Sequence, residues 1–339
     1  MDEHSLRFGS DQEPGIRRTG TKRFSYVHES GRRATATEHE RIRSLAIPPA
    51  WTDVWITADP ASHLQATGRD ARGRKQYRYH ALFTADRAEN KFADLVGFGH
   101  ALGPLRRRVR RDLTRSDLSH QHVVATVVRL MDLTSLRVGN EEYSRTNESF
   151  GLTTLLNGHA RVRGSTIRLA FRGKSAHEFD VHVGDARLAG IVRSCQNLPG
   201  QHLFEYRDEF GEVRHVGSSD VNAYLSEHAA PGLTAKTFRT WNATVRAAEG
   251  LSEAGARAET PSKQVLNEII DDVAAHLGNT RAVCRNSYIH PVVVQSYVEG
   301  TLVQRWQRPV SDRPSGLTAP ERRTLRLLRS AARSRATAV

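Results

Sequence analysis

The chain has 339 residues, enough for a substantial buried core and for two domains, since single cores stop growing at roughly 250–300 residues. Its 50 Lys and Arg against 37 Asp and Glu leave a formal charge of +13, which points to a polyanionic partner such as nucleic acid, where bound cations displace condensed counterions. No apolar run approaches the roughly 18–20 residues of a membrane helix, residues 1–10 lack an apolar signal core, and two cysteines are too few for a disulfide framework or zinc cluster. A cytoplasmic, nucleoid-associated protein with no membrane partner is expected.

Residues 1–30 are polar and read as a loose, flexible arm. A short helix is expected over 37–45, stopped by Pro48 and Pro49, followed by short strands over 54–57, 64–67 and 76–79. These make a small β-rich domain over 31–88. Its last strand lies in a basic run, Arg69, Arg72, Arg74, Lys75 and Arg78, interleaved with Gln76, Tyr77 and Tyr79. From residue 86 the period becomes helical: Phe92, Leu95, Phe98 or Leu102, Leu105, Val109 and Leu113 recur at three and four, with Gly103-Pro104 as a kink point. A second helix covers 121–133, with Val124, Val127, Val128 and Met131 facing the core.

Between 161 and 183 the period switches to two, and Arg172-Gly173-Lys174-Ser175 separates the alternating runs, so a β-hairpin with Lys174 at its turn is expected. Helices follow: one capped by Ser218 or Ser219 through 225, one capped by Thr234 over 235–249, one capped by Ser262 through 277, one opened by Pro291 through 297, and a basic terminal helix over 318–332. Residues 250–261 read as a loop. The fold class is α+β: a small β-rich N-terminal domain and a larger, mainly α-helical domain over 89–339 that carries the hairpin.

Five polar residues suit one chemistry, the exchange of a phosphodiester onto a tyrosine. Tyr288 is the candidate nucleophile; only about one free phenol in a thousand is ionised at neutral pH, so it needs nearby cations. Arg137, in Leu133-Thr-Ser-Leu-Arg-Val-Gly139, and Arg239, near the start of the Thr234-capped helix, can clamp non-bridging oxygens with planar forks. The alternatives are an ion pair of Arg137 with Glu141 or Glu142 and a solvated helix face for Arg239. Only six of the 50 cations are lysines, and Lys174 on a turn fits a group that must release its proton, which a guanidinium does not. Asn279 can donate to a phosphoryl oxygen, although Gly-Asn after a helix is also an ordinary cap and turn pair. No P-loop, dinucleotide or zinc spacing is present, so neither metal nor ATP is expected.

These segments resemble the type IB DNA topoisomerases of the compact bacterial and poxvirus kind, over about residues 47–297. The resemblance is carried by the run from Gly68 to His80, by Leu136-Arg137-Val138-Gly139, by Phe171 to Phe179 around Lys174, by Lys236-Thr237-Phe238-Arg239-Thr240, and by Leu277-Gly278-Asn279-Thr280 with Ser287-Tyr288. It implies a clamp around supercoiled duplex DNA, working as a monomer. Tyr288 would form a 3′-phosphotyrosyl bond, Arg137 and Arg239 would hold the phosphate, and Lys174 with Arg137 would assist protonation of the leaving 5′-hydroxyl. Asn279 stands where viral members usually carry His. Arg69, Arg74, Lys75, Gln76, Tyr77, Tyr79 and Lys236 would contact DNA. Tyrosine recombinases share the nucleophile and arginines, but generally place His where this chain has Lys236. A non-catalytic architectural DNA-binding protein would not need all five polar residues.

Overall fold

The computed structural model describes residues 6–21, 23–84, 92–230, 232–257, 260–310 and 316–337. They divide into two compact units, Met1–Lys91 and Phe92–Val339. The expected boundary near residue 88 lies outside the described residues.

In the first unit, strands β1 (Gly15–Thr19), β2 (Ser25–His28), β3 (Thr52–Thr57), β4 (Leu64–Arg69) and β5 (Lys75–Tyr79) form an antiparallel sheet in the order β2-β1-β3-β4-β5. Helix α1 (Ala36–Ser44) starts at a capping box: Thr35 Oγ1 accepts from the Glu38 N–H at 3.2 Å, and the Glu38 carboxylate accepts from the Thr35 N–H at 2.7 Å. Its Ile42 packs with Ile16, Val54, Ile56 and Ala66 in a small core.

The expected loose arm over residues 1–30 is corrected here, because residues 15–19 and 25–28 are strands of this sheet. Ile16 is fully buried, and β1 pairs with β3 some forty positions later, Ile16 opposite Ile56. Pairing so remote in sequence leaves no local period to read. Gly15 is required by the packing, since a Cβ there would sit 2.2 Å from Trp55 Nε1.

The second unit is built on α2 (Asp94–Asp112), α3 (His120–Thr134), α4 (Glu141–Asn147), α5 (Ala186–Gln196), α6 (Ser218–His228), α7 (Ala235–Gly255), α8 (Lys263–Leu277), α9 (Arg281–Ser287), α10 (Pro291–Val298), α11 (Leu302–Gln307) and α12 (Ala319–Thr337). The sheet β6 (Ala160–Arg163), β7 (Thr166–Arg172) and β8 (Glu178–Gly184) is antiparallel, and a short pair, β9 (Glu205–Arg207) and β10 (Val213–His215), stands apart from it. Helix α7 is the spine of this unit and touches α2, α8, α10, α11 and α12. Phe98, Phe238 and Trp241 meet edge to face at its centre, with centroids 4.8 and 5.8 Å apart. Gly99 admits Trp241, whose ring edge lies 2.7 Å from where a Cβ would stand.

Helix α2 carries Pro104, the expected kink point, within its run. Two sequence expectations change in this unit. Ser218 opens α6 rather than capping it, and Asp220 accepts from the Gly217 N–H at 2.7 Å in its place. Residues 250–255 continue α7 instead of forming loop. The terminal helix is fastened by Arg106, whose guanidinium meets Asp132 and Glu321 at 2.8 Å each, with both carboxylates nearly buried.

Candidate active site

Helix α3 ends at Ser135, which takes a left-handed turn (φ 57, ψ 17) and releases the chain into Leu136 and Arg137. Two residues on, Gly139 holds φ +111 with the Thr153 and Thr154 hydroxyls close to where a Cβ would stand, so no side chain fits. Between these reversals the backbone is fixed by the Leu152 N–H donating to Arg137 O at 2.9 Å and the Thr153 N–H to Val138 O at 2.6 Å. Arg137 is thereby presented from a rigid, non-helical segment. Its Nη2 donates to Asn279 Oδ1 at 2.6 Å. Glu141 pairs instead with His215 and Arg145, so the ion-pair alternative for Arg137 does not hold at that residue.

Asn279 follows Gly278, the left-handed cap of α8 (φ 60, ψ 51), and its N–H donates to Ala274 O at 2.9 Å. Asn279 thus sits at the helix cap and also lies beside Arg137. A Cβ on Gly278 would meet Phe179 Cζ at 2.5 Å and His177 Cδ2 at 2.7 Å. That contact packs the end of the β7–β8 turn against Gly278, the residue before Asn279. Lys174 lies on this turn, exposed, between the paired ends Arg172 and Glu178, where Ser175 and Ala176 both adopt positive φ.

Arg239 is 3 % exposed on α7. It donates to two carbonyls at helix ends, Ser135 O through Nη1 and Leu277 O through Nη2, the latter at 2.8 Å. One guanidinium thus joins the segment before Arg137 to the segment before Asn279. The solvated-face alternative is excluded for this residue. Ser135 is itself held by Asn242, whose Nδ2 donates to its hydroxyl at 2.9 Å. The Arg239 guanidinium carbon stands 5.3 Å from the centroid of the Tyr288 ring.

Tyr288 is half-buried at the end of α9. Burial alone would push its phenol up, but the charges of Arg239, Arg137 and the exposed Lys236 outweigh it, so the phenol ionises below the ordinary tyrosine range. The cations are perturbed in turn. Burial lowers Arg137, and burial with the charge of Arg137 brings Arg239 down to about 10. Both guanidinium groups keep their protons at neutral pH.

Among the described residues no carboxylate pairs with Arg137 or Arg239, and three buried donors have no acceptor: Arg137 Nη1, Arg239 Nε and Asn279 Nδ2. Buried polar groups are ordinarily satisfied. Three orphan donors in one place, two of them cationic, describe a site built to receive an anion with several oxygens. Among the described residues no group of three His, Cys, Asp or Glu could hold a metal ion.

Arg137, Arg239, Asn279 and Tyr288 are therefore brought together from four separate chain segments, with Lys236 at the rim. Ser135 and Asn242 were not singled out by sequence, and His177 and Phe179 entered only as part of the Phe171–Phe179 run, because each acts by holding another residue. The only trace of them is their nearness to the singled-out positions, Asn242 lying three residues after Arg239.

In the first unit, β5 alternates, with Lys75, Tyr77 and Tyr79 exposed and Gln76 and Arg78 partly covered. The Tyr77 and Tyr79 rings stack at 6.1 Å and 9°. Lys75 pairs with Asp11 at 2.6 Å, Arg74 with Asp70 at 2.7 Å and Arg69 with Asp53 at 3.6 Å, while Gln76 donates to Asp70 at 3.0 Å. These cations are steadied by carboxylates rather than left bare.

Comparison with known proteins gives the same picture. Residues 80–308 match the family described as eukaryotic DNA topoisomerase I, catalytic core, and residues 23–70 match the bacterial DNA topoisomerase IB N-terminal domain. DNA topoisomerase 1B of Acanthamoeba polyphaga mimivirus is 31% identical over 304 residues, which cover 87% of this chain and 89% of that protein. DNA topoisomerase 1B of vaccinia virus (strain Western Reserve) is 25% identical over 178 residues, 50% of this chain and 57% of the viral protein. DNA topoisomerase 1 of Mycosarcoma maydis is 29% identical over 193 residues, 50% of this chain but 19% of the fungal protein.

Proposed function

The chain belongs to the type IB DNA topoisomerases, ATP-independent isomerases that act on DNA, and from that premise we propose that Tyr288 cuts one strand of duplex DNA and holds it covalently while supercoils relax. The observation that carries this reading is a phenol acidified by Arg239 and Arg137, with buried donors on both arginines and on the adjoining Asn279 left without acceptors.

The steps follow from the groups present. The phenolate oxygen of Tyr288 attacks the scissile phosphorus, and the bond to the 5′-oxygen breaks to leave a 3′-phosphotyrosyl linkage. Charge growing on the non-bridging oxygens meets Arg137 Nη1, Arg239 Nε and Asn279 Nδ2, which are buried and without other acceptors. Asn279 acts as a neutral donor, its oxygen being occupied by Arg137.

Lys174, on the turn seated against Gly278, is the proton donor to the leaving 5′-hydroxyl, the one step for which a guanidinium is unsuited. The free end then rotates under torsion, and reversal of the same steps reseals the strand. The linkage conserves the energy of the broken bond, so no external energy source is needed. The exposed stripe of Lys75, Tyr77 and Tyr79, with Arg69, Arg74, Gln76 and Lys236, supplies duplex contacts in this reading.

The test is Tyr288→Phe. The variant is expected to bind duplex DNA as the wild type does and to form no detergent-resistant adduct in the absence of added metal and ATP. An adduct that persists would remove Tyr288 from the mechanism.

A further inference from the structure

The carbonyl of the candidate nucleophile and the N–H two residues on, one on each side of Ile289, close on a single buried hydroxyl, that of Thr244 on α7. Thr244 Oγ1 lies 3.1 Å from Tyr288 O, accepts from the His290 N–H at 3.1 Å, and reaches Thr240 O of its own helix at 2.7 Å. The residue is fully buried. A hydroxyl carries one proton and two lone pairs, so this one shares its proton between the helix carbonyl and the Tyr288 carbonyl while accepting from His290.

The intervening Ile289 is 1 % exposed and sets how deeply the segment sits. Apolar packing is non-directional, however, and does not fix the rotation of a peptide plane. Hydrogen bonds on both sides of Ile289 do. Arg239 stands five residues earlier on the same helix. The hydroxyl therefore ties the backbone that carries the phenol to the helix that carries the guanidinium beside its ring.

We propose that Thr244 is a positioning residue for strand transfer, holding the Tyr288–His290 backbone on α7 so that the phenol oxygen stays in register with Arg239 and Arg137. The proposal rests on the reading of Tyr288 as nucleophile. Thr244 touches no reacting atom, and its effect is transmitted through the Tyr288 carbonyl.

Thr244→Val removes the hydroxyl at nearly constant volume, and Thr244→Ser keeps it. The assay is single-turnover cleavage of a labelled duplex by excess full-length protein, followed across the pH range in which the phenol ionises. The valine variant is expected to cleave roughly 10- to 100-fold more slowly, the scale on which a displacement of about 1 Å acts. Its rise of rate with pH should also move to higher pH as the phenol leaves the cations. Serine is expected to restore both. Added to Tyr288→Phe, the valine change should leave non-covalent duplex affinity unaltered.

A valine variant with wild-type rate and pH profile would overturn the proposal, as would a serine variant as slow as valine. Loss of duplex affinity in parallel with rate would assign Thr244 to folding alone and would overturn it equally. If Tyr288→Phe by itself still yields adduct, the failure lies with the nucleophile assignment, independently of what Thr244 does.

Discussion

Replacing Arg239 by methionine should separate stability from catalysis, because this arginine is held in the folded protein against an opposing field. Burial and the charge of Arg137 bring it from the ordinary 12.5 down to about 10, so at about 1.4 kcal/mol per decade the empty site disfavours the charge by about 3 kcal/mol. Since the folded value lies below the unfolded one, that opposition acts at all pH values below about 10 and fades as pH rises from there toward 12.5. Methionine removes it. The variant also loses the bonds to Ser135 O and Leu277 O, about 1.5–3 kcal/mol each for a charged donor. The net destabilisation expected is about 0–3 kcal/mol, less than the roughly 3–5 kcal/mol typical of breaking a buried pair. Cleavage should suffer far more. One transition-state donor is worth roughly 10²–10³ in rate, and Tyr288 loses the first of the cations that acidify it. Urea denaturation and single-turnover cleavage on the same preparation check both halves, with absorbance titration of the phenol as a third readout. The reasoning fails if stability falls by more than about 5 kcal/mol while the folded fraction retains wild-type cleavage.

Lys174→Arg keeps the charge on the hairpin turn but binds its proton too tightly to deliver it. Cleavage is expected to slow roughly 10²-fold or more, with duplex affinity in a binding assay nearly unchanged; equal losses in both would give Lys174 a binding role. Gly278→Ala should lower both melting temperature and cleavage rate, because the position holds φ +60 and the new methyl would lie 2.5 Å from Phe179 Cζ. The expected cost is about 1–3 kcal/mol or more, and an unchanged rate would detach the hairpin from the site. Glu321→Gln leaves Asp132 as the one carboxylate on Arg106 and should destabilise the second unit by up to about 3 kcal/mol, measurable by thermal melting, while cleavage by the folded protein stays near wild type.

Much of this was legible where the chemistry is written into single residues. A lysine in a chain that writes most cations as arginine, a tyrosine after a capped helix, and an alternating run broken by Gly-Lys each carry local information. Asn279 was ambiguous because a cap residue reads the same with or without a second partner, and that partner, Arg137, comes from 142 positions away. Strands β1 and β2 were missed because Gly15–Thr19 contains one buried apolar side chain amid arginines, and its partner β3 is remote in sequence. The end of α7 shifted because tertiary packing overrode the local signal at Gly250. Thr244 and Asn242 gave no signal beyond their nearness to Arg239. A buried hydroxyl or amide on a helix reads as helix surface until the segment it holds has been folded onto it.

Strand β5 is the last strand of its sheet, with no strand beyond it among the described residues. A terminal strand bearing exposed tyrosines is a template for sheet-to-sheet adhesion between copies, and alternating charge is the usual guard against it. Lys75 occupies that guarding position here. Neutralising it to map duplex contacts would therefore also unmask a sticky border, and a fall in apparent DNA affinity would reflect clumping unless the dispersity of the sample were measured alongside.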